Sequence, residues 1–352
     1  MVKFLLYAIG LGAAFGIGFI PRFGLPRPLF SRILIVITLA AVTCLAILPP
    51  TIGTFNDAIR LHMAASLQQN VNVLIPQGWR ASPDGASIQA KHPRNSETLT
   101  IRFASPELRQ RLEEFQNSTA LVTLANTGSH TEFTISEVHG GEPLFALPLI
   151  PQLEERARIM YFHVPMSWVA VVAYIVTLVC SILYVRTDTM KWDMIAVSSA
   201  SVGTLFCALA YITGAIWAKF DWGSFFNWDK KELSVLLLLL IYGAYFALRG
   251  SIDSPERRAR QSSVYAIVAC VAAVFLVFIL PRITDSLHPG SANSDSAGPL
   301  LSAQSDSIAF TKALVFSLSL SGFTMLYFWM LNLNIRVAAI RGRLAHRQAD
   351  DV

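Results

Sequence analysis

Charged residues are scarce in this chain. Aspartate, glutamate, lysine and arginine make up only 14% of its 352 residues, whereas hydrophobic residues make up 53% and the mean hydropathy is +0.49. In soluble domains about a quarter of all residues are charged, so this composition excludes an ordinary soluble protein. The chain is nevertheless basic, with a formal net charge of +5, and the positions of its cations decide what that excess means.

Cysteine is also rare, and its positions exclude two kinds of site. All four cysteines fall within long apolar runs. None belongs to a C-x-x-C pair, so the sequence supports neither a thiol-redox site nor a zinc ribbon. The four are Cys44, Cys180, Cys207 and Cys270.

Long uncharged runs predict an all-α polytopic membrane protein with about seven transmembrane helices. Most of the runs reach the roughly 20 residues that a helix needs to cross the hydrocarbon core. The fifth run is short, but Glu232 and Arg249 at its ends can snorkel to the interface. The first run lacks a convincing A-x-A cleavage site and is interpreted as a retained signal anchor. The runs cover residues 4–21, 33–55, 164–185, 194–218, 233–248, 261–281 and 313–335.

The basic residues predict the orientation of these helices. Lysine and arginine accumulate in short cytoplasmic loops, and one orientation places the basic segments after the first, third, fifth and seventh runs all inside. The net positive charge is therefore a topology signal and not a sign of nucleic-acid binding. The same orientation places three segments on the outer face, namely residues 50–158, 217–232 and 282–307.

Residues 51–157, called the insert below, predict a small β-rich extracytoplasmic domain. Turn signals at 82–85 and 140–141 separate stretches of strand-like alternation, and residues 106–115 predict one short helix with proline in its first turn. The predicted strands cover 71–75, 87–90, 98–103, 121–124 and 131–138. Four histidines in the insert match no metal-ligand spacing and are interpreted as surface residues: His62, His92, His130 and His139.

The chain is therefore expected to divide into four parts. Two N-terminal transmembrane helices occupy residues 1–50, and the insert follows. Residues 158–345 form a core of five helices, and residues 346–352 form a cytoplasmic tail. Within the core, the glycine- and serine-rich stretch 290–307 is predicted to be a low-complexity loop.

The most informative segment is residues 217–232, called the Trp-rich segment below, which reads Trp-Ala-Lys-Phe-Asp-Trp-Gly-Ser-Phe-Phe-Asn-Trp-Asp-Lys-Lys-Glu. It carries three tryptophans and three phenylalanines between two apolar runs. Tryptophan is an ordinary anchor at membrane interfaces. So many aromatic rings in a short polar loop instead favour a large flat ligand that covers them.

Two histidines lie on the same predicted face as this segment. His163 enters the third run at its outer end, where a polar ring needs a partner, and His288 lies in the loop after the sixth run. Each taken alone is compatible with a capping or loop histidine. Together they favour the axial ligands of haem iron, because imidazole is a common haem ligand and porphyrin faces suit indole and phenyl rings. Zinc is less favoured, because no convincing third ligand accompanies the pair.

The motifs resemble the CcmC branch of the haem-handling membrane proteins, a group defined by a tryptophan-rich "WWD" signature. Three motifs carry the resemblance: Arg-Ile-Met-Tyr-Phe-His-Val-Pro at 158–165, Trp-Gly-x-x-x-x-Trp-Asp at 222–229, and Leu-His at 287–288. The resemblance covers roughly residues 154–345 and implies that haem b is held at the outer face by His163 and His288. The implied platform consists of Trp217, Trp222, Gly223, Phe225, Phe226, Trp228 and Asp229. The candidate contacts for the haem propionates, which call for cations, are Arg158, Lys230, Lys231 and Arg282.

The resemblance also implies a function and partners. CcmC proteins deliver haem to a haem chaperone, CcmE, aided by the small subunit CcmD and the ABC transporter CcmAB, and they are regarded as delivery proteins without enzymatic turnover. The expected location is the bacterial inner membrane, with the site on the periplasmic face. The chain has no C-x-x-C-H motif, so it does not attach haem to itself in the c-type manner.

Some features depart from the CcmC pattern and leave alternatives open. Phe225 and Phe226 stand where the family has tryptophans, Pro289 stands where it often has glutamine, and the insert and the first run are additional. The continuation Asp-Lys-Lys-Glu at 229–232 looks more like the sister CcsA branch, which joins haem export to cytochrome c synthesis with a ResB-like partner. A transporter of an aromatic or quinone-like solute is a further alternative. It is less favoured because such transporters often show internal repeats or ionisable residues within their spans, and neither is visible here.

Overall fold

The computed structural model describes residues 2–19, 23–58, 68–82, 85–91, 97–129, 131–141, 143–149, 154–288, 291–292 and 310–350. Contacts divide the chain into two compact units, Met1–Thr43 with Arg158–Val352 in the first and Cys44–Ala157 in the second. The chain begins with two apolar helices, α1 (Val2–Gly18) and α2 (Leu29–Ile47). The side chain of Arg27 donates hydrogen bonds to the carbonyls of Ile17 and Gly18 (3.1 and 2.7 Å), so it satisfies the end of α1.

The second unit contains one seven-stranded mixed sheet in the order β3-β4-β6-β5-β2-β1-β7. Antiparallel ladders join β5 to both β2 and β6, whereas β4 pairs with β6 in parallel. The buried face of this sheet packs against α4 through Leu112. The strands are β1 (Thr51–Gly53), β2 (Gln68–Ile75), β3 (Ser87–Lys91), β4 (Thr98–Phe103), β5 (Ser118–Asn126), β6 (Glu132–Gly140) and β7 (Leu147–Pro148). The two helices are α3 (Phe55–Ala58) and α4 (Pro106–Glu113).

The predicted β-rich character of the insert is confirmed. All five predicted strands and the predicted helix at 106–115 are present, because alternating apolar residues face one side of the sheet. His139 accepts or donates a hydrogen bond at Thr123 (2.9 Å) and lies 3.2 Å from the Glu137 carboxylate. His62, His92 and His130 lie outside the described residues, as does nearly all of the predicted low-complexity loop.

The remaining helices form the apolar core of the first unit. A 3₁₀ turn (Glu154–Ile159) leads into α5 (Met160–Thr187), followed by α6 (Met190–Trp222) and α7 (Lys230–Gly250). Next, α8 (Pro255–Val274) continues through a π-helical segment (Phe275–Ile279) into α9 (Leu280–Ile283). The last helix is α10 (Phe310–Asp350).

Six helical segments of the described chain are long and apolar enough to cross a membrane. The protein is therefore mostly helical and polytopic, as predicted, but the predicted count of seven is not confirmed. Helix α1 is the difference, because it has only 17 residues, and a perpendicular crossing needs roughly 20. The six segments are Leu29–Ile47, Glu155–Thr187, Met190–Trp222, Lys230–Gly250, Pro255–Ile283 and Phe310–Leu344.

The core of this unit packs tightly around aromatic rings. The rings of Tyr174 and Tyr242 stack with centroids 3.6 Å apart, and both side chains are buried. Arg249, near the end of α7, forms two hydrogen bonds with the buried carboxylate of Asp193, near the start of α6 (2.7 and 2.9 Å). The Trp-rich segment lies at the opposite ends of these two helices. Such a bidentate pair fixes the register of two helices, so α6 and α7 present their opposite ends in a defined arrangement.

Candidate functional site

His163 lies in α5 and faces α6. Its Nδ1 is 3.1 Å from the hydroxyl of Thr213, and this hydroxyl donates its own hydrogen to the Leu209 carbonyl (2.8 Å). The Thr213 oxygen must therefore accept from Nδ1–H, which leaves the lone pair of the ring on Nε2. Gly214 makes room for the ring, since a Cβ there would lie 2.9 Å from His163 Cε1. The Thr213 contact thus leaves Nε2 as the nitrogen of His163 that could bind a metal.

The start of α5 is held by a contact that compensates for Pro165. This residue has no N–H, so it cannot donate to the carbonyl of Tyr161 four residues earlier. The hydroxyl of Ser319 on α10 donates to that carbonyl instead. The proline that follows His163 in the sequence motif therefore ties the histidine-bearing turn to a second helix.

His288 lies beyond α9 and is held by the carboxylate of Asp229. Asp229 accepts hydrogen bonds from the Ser286 hydroxyl (2.9 Å) and the Leu287 N–H (2.8 Å), and the His288 N–H donates to Ser286 Oγ (3.0 Å). Asp229 also caps α7 by accepting from the Lys231 N–H (2.9 Å). The buried carboxylate thus joins the Trp-rich segment, the start of α7 and the His288 loop.

The surroundings of Asp229 keep its carboxylate charged, whereas the surroundings of His288 keep its imidazole neutral. Burial by itself would raise the pKa of Asp229, but donors from Leu287, Ser286 and Lys231 outweigh it and lower that pKa below its ordinary value. Burial lowers the pKa of His288 from 6.5 to about 4, and the positive charge of Lys231 and the nearby His163 add to this effect. His288 is therefore a neutral imidazole at neutral pH, which is the form that binds iron.

Two indole rings pack beside His288. Trp217 and Trp222 lie on the last turns of α6, with ring centroids 5.6 Å apart, and their centroids are 6.0 and 6.4 Å from the imidazole. The Nε1 of Trp217 is buried and has no hydrogen-bond partner among the described residues. An unpartnered buried donor beside two aromatic faces suits a flat ligand with acceptor groups.

Other aromatic rings of the Trp-rich segment are exposed to solvent. Gly223 ends α6 with a left-handed φ of +83°, a conformation that favours glycine. Phe225 and Trp228 are 59% and 74% exposed, and the Trp228 ring contacts Phe226 with centroids 5.1 Å apart. The sequence predicts one platform of aromatic rings. The structure brings two of them to His288 and leaves the Trp228 edge exposed.

The four candidate propionate contacts occupy different environments. Lys230 and Arg282 are exposed, and Arg158 interacts electrostatically with the Tyr161 hydroxyl. Lys231 instead points inward, and its Nζ donates to the Val277 carbonyl (2.7 Å). No cluster of three or more histidine, cysteine, aspartate or glutamate residues suited to a metal ion occurs in the described part of the chain.

Sequence reasoning did not identify three residues that position the site. Thr213 and Gly214 on α6 orient the His163 ring, and Ser286 links His288 to Asp229. A threonine in an apolar run is a weak signal, because it commonly bonds its own helix backbone. Only the fold brings these residues, 50 or more positions apart from their partners, into contact.

Comparison with known proteins places the chain in a family. A sequence model of the family described as heme exporter protein C, CcmC, matches residues 112–350, which is more than half of the chain. The chain is 29% identical over 188 residues to the heme exporter protein C of Paracoccus denitrificans, covering 53% of this chain and 75% of that protein. It is 30% identical over 199 residues to the heme exporter protein C of Rhodobacter capsulatus, covering 56% and 79%. A ccmC-like mitochondrial protein of Arabidopsis thaliana is 32% identical over 148 residues, covering 41% and 54%. The chain therefore belongs to the heme exporter protein C family, CcmC.

Proposed function

We propose that this protein binds haem b between His163 and His288 and delivers it to a CcmE-like haem chaperone for cytochrome c maturation. The observation that carries the proposal is the packing of His288 against Trp217 and Trp222, together with a second histidine, His163, whose ring is oriented by Thr213 so that its Nε2 could bind a metal. Family membership supports a role in haem handling, and the residues present fit the ligand. The site would lie on the periplasmic face of the bacterial inner membrane.

Each part of the site has a separate task in this proposal. His163, through Nε2, and His288 would hold the haem iron. The indole rings of Trp217 and Trp222 would pack against the porphyrin, and the unpartnered Nε1 of Trp217 would be available to an acceptor group of the ligand. Arg282, which is exposed, remains a candidate for the propionates, because an exposed cation can pair with a carboxylate that projects from the site.

Delivery requires a surface that the acceptor can reach. Trp228 and Phe225 are the exposed rings of the Trp-rich segment, and we assign them to contact with the chaperone. In this proposal the protein moves a cofactor without chemical turnover and is not an enzyme. A CcmD-like small subunit and a CcmAB-like ABC transporter are the further expected partners.

The alternative function is that of a CcsA-like synthetase subunit with a ResB-like partner. It is suggested by the Asp-Lys-Lys-Glu sequence at 229–232, which resembles the CcsA branch. In the structure both acids of this motif serve local roles. Asp229 caps α7, and the Glu232 carboxylate accepts from the Asn227 N–H (2.7 Å). The motif is thus accounted for without a synthetase partner. Copurification of the protein with a CcmE-like chaperone and not with a ResB-like protein is the expected result.

The test separates haem binding from delivery with two tryptophan variants. Trp222→Ala should lower haem affinity by roughly 2- to 10-fold, because an aromatic pair contributes about 0.5–1.5 kcal/mol beyond burial. Trp228→Ala should keep haem but lower transfer to the chaperone and cytochrome c yield. Trp192→Ala, near the opposite end of α6, is the matched control. A wild-type protein that takes up no haem, or a Trp228→Ala variant with normal delivery, would contradict the respective half of the proposal.

A further inference from the structure

Lys231 is held in an unusual position by a break in the neighbouring helix. Its Nζ donates to the carbonyl of Val277 at 2.7 Å, and Val277 belongs to the π-helical segment between α8 and α9. The residue four positions later is Pro281, which has no N–H and cannot donate to that carbonyl. Pro281 therefore leaves an acceptor for Lys231, and the hydrogen bond fixes where the ammonium group sits.

Contacts on two sides place Lys231 near the two histidines. Its backbone N–H donates to the Asp229 carboxylate (2.9 Å), which also accepts from Leu287, the residue before His288. Lys231 also borders a cavity of about 80 Å³ among α5, α6, α7 and α8, and Ser167, whose hydroxyl donates to the His163 carbonyl (3.1 Å), lines the same cavity. Most of the cavity wall is apolar, with Val235, Leu238 and Phe278 among the lining side chains. A charge in such surroundings is screened less than a charge in water, so its field reaches the site with greater strength.

Lys230 provides a contrast one residue away. It is the first residue of α7 and is exposed, so water and salt screen its charge. The two lysines carry the same charge at the same helix end, yet only Lys231 is anchored inside and borders the cavity. Their environments therefore predict different electrostatic effects on a group held between the two histidines.

We propose that the ammonium group of Lys231, held in place by the Val277 carbonyl, raises the reduction potential of haem iron bound between His163 and His288. This inference rests on the proposed function. A nearby cation favours the ferrous form, because that form carries one positive charge fewer than the ferric form, and charge and hydrogen bonding around a haem tune its potential. The chain would thereby set the redox state in which the haem is most stable before transfer.

The test is an equilibrium redox titration of haem-loaded protein in detergent, followed at the Soret and visible bands. Lys231→Gln removes the charge and retains an N–H donor for the Val277 carbonyl, whereas Lys231→Arg keeps the charge. The midpoint potential should fall in Lys231→Gln, with an unchanged six-coordinate spectrum, and should stay near the wild-type value in Lys231→Arg. Lys230→Gln should lower the potential by a smaller amount.

The outcomes distinguish this inference from the proposed function. A wild-type potential in Lys231→Gln, or an equal fall in Lys230→Gln, would overturn it. Loss of haem from Lys231→Gln would also overturn it, because Lys231 would then serve binding. Failure of the wild-type protein to bind haem would remove the proposed function and this inference with it. If Lys231→Gln does not fold, Lys231→Met is the second test. It removes the charge and keeps the apolar part of the side chain, so an unchanged potential there would also overturn the inference.

Discussion

Replacing Asp229 with alanine should weaken haem binding by releasing the loop that carries His288. Asp229 accepts from Ser286 and Leu287 on that loop, and from the Lys231 N–H at the start of α7. Hydrogen bonds to a charged group contribute about 1.5–3 kcal/mol each. Two such bonds hold the His288 loop, but their losses overlap. We therefore expect a cost of about 3 kcal/mol, or roughly 100-fold in haem affinity.

The assay is a haem titration of the apo protein in detergent, followed at the Soret band. Asp229→Asn keeps one acceptor oxygen and should give an intermediate loss. Asp285→Ala is the matched control, because this exposed acid is next to Ser286 in the same loop and should bind haem as the wild type does. Wild-type affinity in Asp229→Ala, or the same loss in Asp285→Ala, would refute the idea that this carboxylate holds His288 in place.

Three further predictions follow from single features of the structure. Gly214→Ala should displace the His163 ring and reduce low-spin haem, because the added Cβ would lie 2.9 Å from His163 Cε1. Gly243→Ala meets nothing within 4 Å and should behave as the wild type. Equal haem spectra in the two variants would contradict this prediction. Thermal stability of the apo protein should fall as the pH drops from about 6.5 to about 4, because His288 takes up a proton more readily in the unfolded state than in the folded state. If the stability of a His288→Phe variant fell with pH as steeply as that of the wild type, the prediction would be wrong. Replacing residues 56–153 with a flexible linker should leave haem content intact and lower cytochrome c yield; loss of haem from a correctly inserted protein would show that the insert helps to form the site.

The strands of the insert were readable because their side chains alternate. In β2, for example, Val71, Val73 and Ile75 are buried while the residues between them are not, and this period identifies a strand without knowledge of its neighbours. Strands β1 and β7 were missed, because two or three residues are too few to show a period. The parallel pairing of β4 with β6 also could not be predicted, since local sequence does not specify which strand lies beside another.

The membrane helices were predicted from hydropathy alone, and the errors lie at their ends. Helix α6 continues through Trp222, although the apolar run predicted an end near residue 218. Two tryptophans of the predicted loop are therefore helical and point to the same site. Helix α1 has 17 residues in the described part of the chain, so the span predicted from residues 4–21 is not confirmed.

The two histidines of the candidate site could be named from the sequence, but the residues that support them could not. His163 and His288 could be proposed because a shared membrane face follows from topology. The partners of Asp229 are 57 and 58 residues away along the chain, and no local pattern signals such contacts. The inward position of Lys231 depends on Pro281 and a π-helical segment in another helix. The sequence therefore could not distinguish Lys231 from the exposed Lys230.

The identity of the axial ligands tests the account most directly. Absorption and electron paramagnetic resonance spectra should be recorded for haem-loaded wild type, His163→Ala and His288→Ala, with His139→Ala in the insert as the control. The wild type and the control should be six-coordinate and low-spin. Each site variant should lose haem or become high-spin, with low-spin character partly restored by added imidazole. Unchanged haem content and spectra in both site variants would contradict the assignment of these two histidines as the ligands.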